Sequence, residues 1–156
     1  MTSDRLVFED FREGDIAEYG DVTISAEAVV AFAQQFDPQS FHLDDEAAKP
    51  VSGGLIASGW HVAALILRMN CDAFLMRVAT VPDAGVDPLS VDELKWIRPV
   101  RPGDRLHVRR AVLSTLPSGA EAGEVGFLFE LVNQEGVVAT SQQGALKLMR
   151  REPGAR

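Results

Sequence analysis

Sulfur is scarce in this chain, with a single cysteine, Cys71, among 156 residues. One thiol closes no internal disulfide and builds no zinc cluster, and it suits a reducing, cytoplasmic setting. It is expected to serve as a small buried hydrophobe. Basic residues are also in deficit. Lysine and arginine number 15 against 23 aspartates and glutamates, for a net charge of -8 and a pI near 4.8. That balance excludes a dedicated nucleic-acid binder, which would carry a basic stripe, but leaves room for a local patch that meets a phosphate-bearing ligand. Long hydrophobic runs are missing as well. The N-terminal MTSDRLVFED is charged and lacks a signal-peptide core, and VAALIL is far too short to span a bilayer. The three histidines show no H-E-x-x-H spacing. No G-x-x-x-x-G-K-[ST] or G-x-G-x-x-G occurs, and GGLIASG lacks the lysine of a phosphate loop. Neither a metal nor a nucleotide cofactor is expected.

What is present is an ordinary globular composition, 46% hydrophobic, at a length that suits one domain over 1–150 with a frayed tail, REPGAR, at 151–156. Residues 15–24 read as a first strand. Ser25 caps a helix over 26–36, in which Val29, Phe32, Ala33 and Phe36 recur at helical spacing. Asp37-Pro38 ends it, because the residue before proline is pushed out of the α region. A single helical turn is expected at Asp45–Ala48. Gly53 and Gly54 break regular structure, and a helix apolar nearly all round begins at Ser58, so it must be enclosed on most sides. Residues 91–98, 104–115, 124–132 and 137–148 read as strands, with PVRPGD, LPSGAEAG and NQEG as the turns between them. Short loops imply that successive strands are antiparallel neighbours. The pattern predicts an α+β hot-dog domain, an antiparallel sheet of about five strands wrapped around a long central helix. The 77–90 loop has no assignment.

The stretch FDPQSFHLDD sets the functional question. It places Asp37 and His42 close together around Pro38. On the residues alone it is either a polar turn that stops a helix or the acid/base pair of a site. Asp44 and Asp45 read as a helix cap and a solvated first turn. His61, inside the central helix, reads as packed and hydrogen-bonded, and His107 as facing outward from a strand. Trp96 alternates with Lys95 and is expected in the core.

Several features together resemble the MaoC-like dehydratases, the hot-dog group that includes (R)-specific enoyl-CoA hydratases. They are the helix ending FAQQFD, the spacing Asp37-x4-His42 followed by Leu43-Asp44, the segment Leu55-Ile56-Ala57-Ser58-Gly59-Trp60, the turn Arg98-Pro99-Val100-x-Pro102-Gly103-Asp104, and Asn133-Gln134-x-Gly136. The chain departs from the pattern at Gln39 and Ser40, where family hydratases carry Asn-Pro, and at Ser58, where many members carry histidine. The resemblance implies that Asp37 and His42 jointly hold the water that adds to an enoyl-CoA thioester. It implies a homodimer or higher homo-oligomer, and coenzyme A thioester as substrate with no cofactor. Gly59 opens the central helix, where an N–H without an intrahelical acceptor and the helix dipole can stabilise a thioester oxyanion. Glycine there also admits the thioester without a Cβ in the way. Ser58 either caps the helix or turns a hydroxyl toward the substrate, and Arg98 and Arg101 either meet coenzyme A phosphates or flank a solvated turn. A hot-dog thioesterase would need a water-activating carboxylate on or near the central helix, and the only acidic residue within that helix is Asp72, well past its start. A non-catalytic acyl-CoA-binding module is the third reading.

Overall fold

The computed structural model describes residues 5–81 and 89–151. Strand β1 (Ile16–Thr23) leads into α1 (Ala26–Phe36), whose start is fixed by the Ser25 hydroxyl accepting from Ala28 N–H. A 3-10 turn at Ser40–His42 follows, then α2 (Asp45–Ser52) and α3 (Gly59–Ala73). The sheet is completed by β2 (Glu93–Trp96), β3 (Arg105–Ser118), β4 (Ala122–Val132) and β5 (Val138–Met149). All pairings are antiparallel, in the order β1-β3-β4-β5-β2. α3 lies against the inner face of this sheet, so the hot-dog arrangement holds. No helix among the described residues is long and apolar enough to cross a membrane.

Burial follows the strand period of two. On β4, Val125, Phe127, Phe129 and Leu131 all face α3 and are fully buried, and Leu106, Val108 and Val112 continue that face on β3. Val62, Ile66 and Met69 of α3 complete the core. Arg110 also lies on the inward row of β3, opposite Phe129. Its guanidinium carbon sits 4.7 Å from the centre of the Phe74 ring, within cation–π reach.

Several expectations are corrected. β2 and β3 are successive strands but not neighbours, since β2 borders β5 at one edge of the sheet and β3 pairs with β1 near the other. The PVRPGD segment is therefore a crossover, anchored by Ala57 N–H on Val100 O and by Gly103 N–H on Ile24 O. The helix at Asp45 runs for eight residues through Pro50. Proline there removes one hydrogen bond in the final turn, and Gly53, at φ 78°, closes the helix by donating to Lys49 O. α3 is not enclosed on most sides. Its inner stripe is buried, but Trp60, Ala64 and Leu67 face outward, because one sheet covers only one side of a helix. Cys71 is only partly buried. Trp96 is 47% exposed, since β2 is a border strand. Asp45 is not merely solvated, because its carboxylate accepts from Leu55 N–H, whereas Asp44 caps α2 through Ala47 N–H as expected. In the 77–90 loop, Val78 bridges Leu6, Thr80 bridges Leu148 and Leu89 bridges Leu146, while 82–88 lie outside the described residues. Arg151 is anchored, its backbone to Glu9 and its guanidinium to Asp10, and the rest of the expected tail is not among the described residues.

Candidate active site

The end of α1 and the start of α3 meet over one cleft of about 420 Å³, lined by Asp37, His42, Gly59, Trp96, Arg98 and Thr140 among others. Asp37 is the residue that terminates α1. His42 closes the 3-10 turn after it and is 5% exposed. The turn makes these two side chains converge, with His42 Nε2 3.3 Å from Asp37 Oδ2.

Each is held by further partners. His42 Nδ1 lies 2.7 Å from the Ile56 carbonyl. A carbonyl only accepts, so Nδ1 carries the hydrogen and the neutral ring presents a lone pair at Nε2. Asp37 Oδ2 accepts from the Ser58 hydroxyl at 2.6 Å, and Oδ1 accepts from the Gln39 amide at 2.7 Å. The Ser58 and Gln39 hydrogen bonds hold the Asp37 carboxyl below its ordinary pKa, burial opposes them, and the positive charge of the His42 ring in its protonated form adds a smaller lowering. The result is two proton acceptors side by side. Such a pair can accept both hydrogens of a single water.

Ser58 stands at the N-cap position of α3 without capping it through its hydroxyl. Its side chain makes no capping bond, and it is fully buried against Asp37. Its hydroxyl hydrogen is engaged by Asp37, and Ser58 is not among the residues that line the cleft. Gly59 opens α3, and among the described residues no carbonyl accepts from its N–H. The reason for glycine is more specific than open access. A Cβ there would lie 2.5 Å from Trp96 Cε2, a distance that no packed carbon tolerates. Trp96 Nε1–H also donates to Gly59 O at 2.8 Å, and its ring meets Trp60 edge to face.

The two arginines separate. Arg98 lines the cleft. Arg101 does not, and its guanidinium donates to the carbonyls of Ser52 and Gly54, which ties down the turn after α2. His61 is packed as expected, stacked on Phe32 at 4.7 Å, but its Nδ1 has no hydrogen-bond partner among the described residues. Burial lowers its pKa. His107 is partly exposed, with Nε2 3.4 Å from Glu18.

Residues 12–124 match the MaoC like domain. The chain belongs to the MaoC-like domain family. A MaoC-like dehydratase from Rhodospirillum rubrum shares 36% identity, with 95% of this chain and 99% of that one aligned and a TM-score of 0.82. The Bacillus subtilis protein YdeM is 28% identical over 133 residues, which cover 85% of this chain and 91% of YdeM. The unliganded R-hydratase PhaJ1 of Pseudomonas aeruginosa shares the fold, with a TM-score of 0.68 at 23% identity over 97% of this chain and 94% of that one.

Sequence reasoning missed two contributors to this MaoC-like cleft. Gln39 reads as a departure from the family pattern, yet it carries one of the two hydrogen bonds on Asp37. Trp96 reads as core, yet it shapes the cleft wall above Gly59. A side-chain amide within two positions of the aspartate was the available signal for Gln39. Nothing local signalled Trp96, whose partner lies 37 positions away.

Proposed function

We propose that this protein is a lyase that reversibly hydrates a trans-2-enoyl-CoA to the (R)-3-hydroxyacyl-CoA. The observation that carries this reading is the pairing of Asp37 and His42 at 3.3 Å beside the start of α3 in one cleft. Family membership supports a hydratase or dehydratase role in general, as does the shared fold with (R)-hydratases. In the forward direction the water held between Asp37 and His42 adds to Cβ while one of the two takes its proton. The pair then delivers a proton to Cα on the same face, so the addition is syn and the net change is one water gained. Negative charge gathers on the thioester oxygen, where the Gly59 N–H and the α3 dipole stabilise it. We assign the coenzyme A phosphates to Arg98, a cation that lines the cleft.

The thioesterase alternative is weaker. Asp72 is exposed at the far end of α3 and bound by Arg68 Nε at 2.9 Å. The outward stripe of α3, with Trp60 and Leu67, and the exposed β2 border, with Trp96 and Ile97, suit a second copy of the chain.

The test is loss of the conjugated thioester absorbance of crotonyl-CoA and a longer enoyl-CoA. Wild type is expected to hydrate at least one. Asp37→Asn and His42→Ala, with folding verified by circular dichroism, are expected to lose most activity. Wild-type inactivity on both substrates, with free thiol released instead, would establish the hydrolase reading.

A further inference from the structure

Two polar side chains on the inner face of β5 have no role in the chemistry above. Thr140 lines the same cleft as Asp37, His42 and Gly59. It is 1% exposed, and no described group hydrogen-bonds its Oγ1. Gln142 follows on the same face, about 7 Å further along the strand. It is largely buried, at 7% exposed, and its amide hydrogen-bonds no described side chain, but it does not line the cleft itself and its polar atoms are not closed off as the Thr140 hydroxyl is. Register fixes their surroundings. Thr140 stands between Trp96 of β2 and Leu131 of β4, and Gln142 between Leu94 and Phe129. Beyond them the inner face of β5 turns apolar, with Leu146 and Leu148.

A wall meant only for an alkyl chain has no use for these groups. A buried hydroxyl left unpaired lowers stability, and valine would fill the Thr140 volume without that cost. Rotation about χ1 of Thr140 exchanges its methyl and hydroxyl, so the hydroxyl can turn into the cleft when a partner arrives. Both side chains donate and accept, which fits an oxygen-bearing group. We infer that Thr140 of the cleft, backed by Gln142 next to it on the same face of β5, forms a polar subsite for an enoyl thioester whose acyl chain carries a hydroxyl, carbonyl or carboxylate oxygen. This rests on the hydratase reading and narrows its substrate class.

The experiment compares trans-2-hexenoyl-CoA with hexenoyl-CoA thioesters hydroxylated at C5 or C6. Wild type is expected to favour one oxygenated substrate by about fivefold or more in kcat/KM, the scale of a neutral hydrogen bond. Thr140→Val and Gln142→Leu should erase that preference through KM, with a clearly larger effect on the oxygenated substrate than on the plain one. Thr140→Ser should retain it. Equal turnover of plain and oxygenated substrates by wild type overturns the subsite while leaving the hydratase reading intact. An equal loss on both substrates in the folded variants also overturns it, because a purely structural or water-bridging role acts without discrimination. Wild-type inactivity on every one of these thioesters overturns both readings together.

Discussion

Ser58→Ala removes one oxygen from a fully buried position and tests how the charge on Asp37 is held. The Ser58 hydroxyl is the leading cause of the low Asp37 pKa, ahead of Gln39. A hydrogen bond to a charged acceptor is worth about 1.5–3 kcal/mol. For a domain of this length each kcal/mol moves Tm by about 2–4 °C, so the variant should melt about 3–12 °C lower at neutral pH. The sign of the pH dependence follows from linkage. A carboxyl whose folded pKa is depressed contributes stability that is present above its unfolded value and is lost as pH falls through the folded value. The gap between wild type and Ser58→Ala should therefore be full at pH 7 and close as the buffer is taken below the ordinary carboxylate range. Hydration should report the same event. If Asp37 must be ionised to hold the water, the acid limb of kcat/KM moves to higher pH in the variant. Scanning fluorimetry across pH and a pH–rate profile measure the two effects. A melting gap that stays constant with pH, together with an unmoved acid limb, would refute the claim that Ser58 holds the charge.

Other perturbations separate roles within the cleft. Gly59→Ala drives a methyl into the Trp96 ring; activity should fall at least tenfold with a shift in tryptophan emission, and adding Trp96→Ala should restore the melting temperature but not the rate. Gln39→Ala should raise the acid limb less than Ser58→Ala, since its hydrogen bond is the smaller cause. Arg98→Ala should raise KM for coenzyme A thioesters with little change in Tm, and the effect should shrink in high salt. Arg101→Ala should do the reverse, lowering Tm by removing the tie to Ser52 and Gly54 while leaving KM nearly unchanged.

What the sequence disclosed was local. Ser25 and Asp37-Pro38 bound α1 at the residues observed, because capping and proline sterics act within a few positions. The meeting of Asp37 and His42 was legible for the same reason, since a short loop joins them. Ser58 was ambiguous because its partner lies 21 positions earlier, and no periodicity reports a contact across two elements. The crossover at 97–104 looked like a hairpin turn because Pro and Gly mark turns and crossovers alike. Trp96 was misjudged because alternation tells which face a residue takes, not whether its strand lies at the middle or the border of the sheet.

The hydrogen bond from Trp96 to Gly59 makes the sheet border and the helix start one mechanical unit. β2 has β5 on one side and no strand among the described residues on the other. Anything that seals that open side presses on the strand whose indole fixes the first carbonyl of α3. Catalytic alignment would then be tuned from outside the cleft, and a substitution at the border would surface as altered turnover before it surfaced as lost stability.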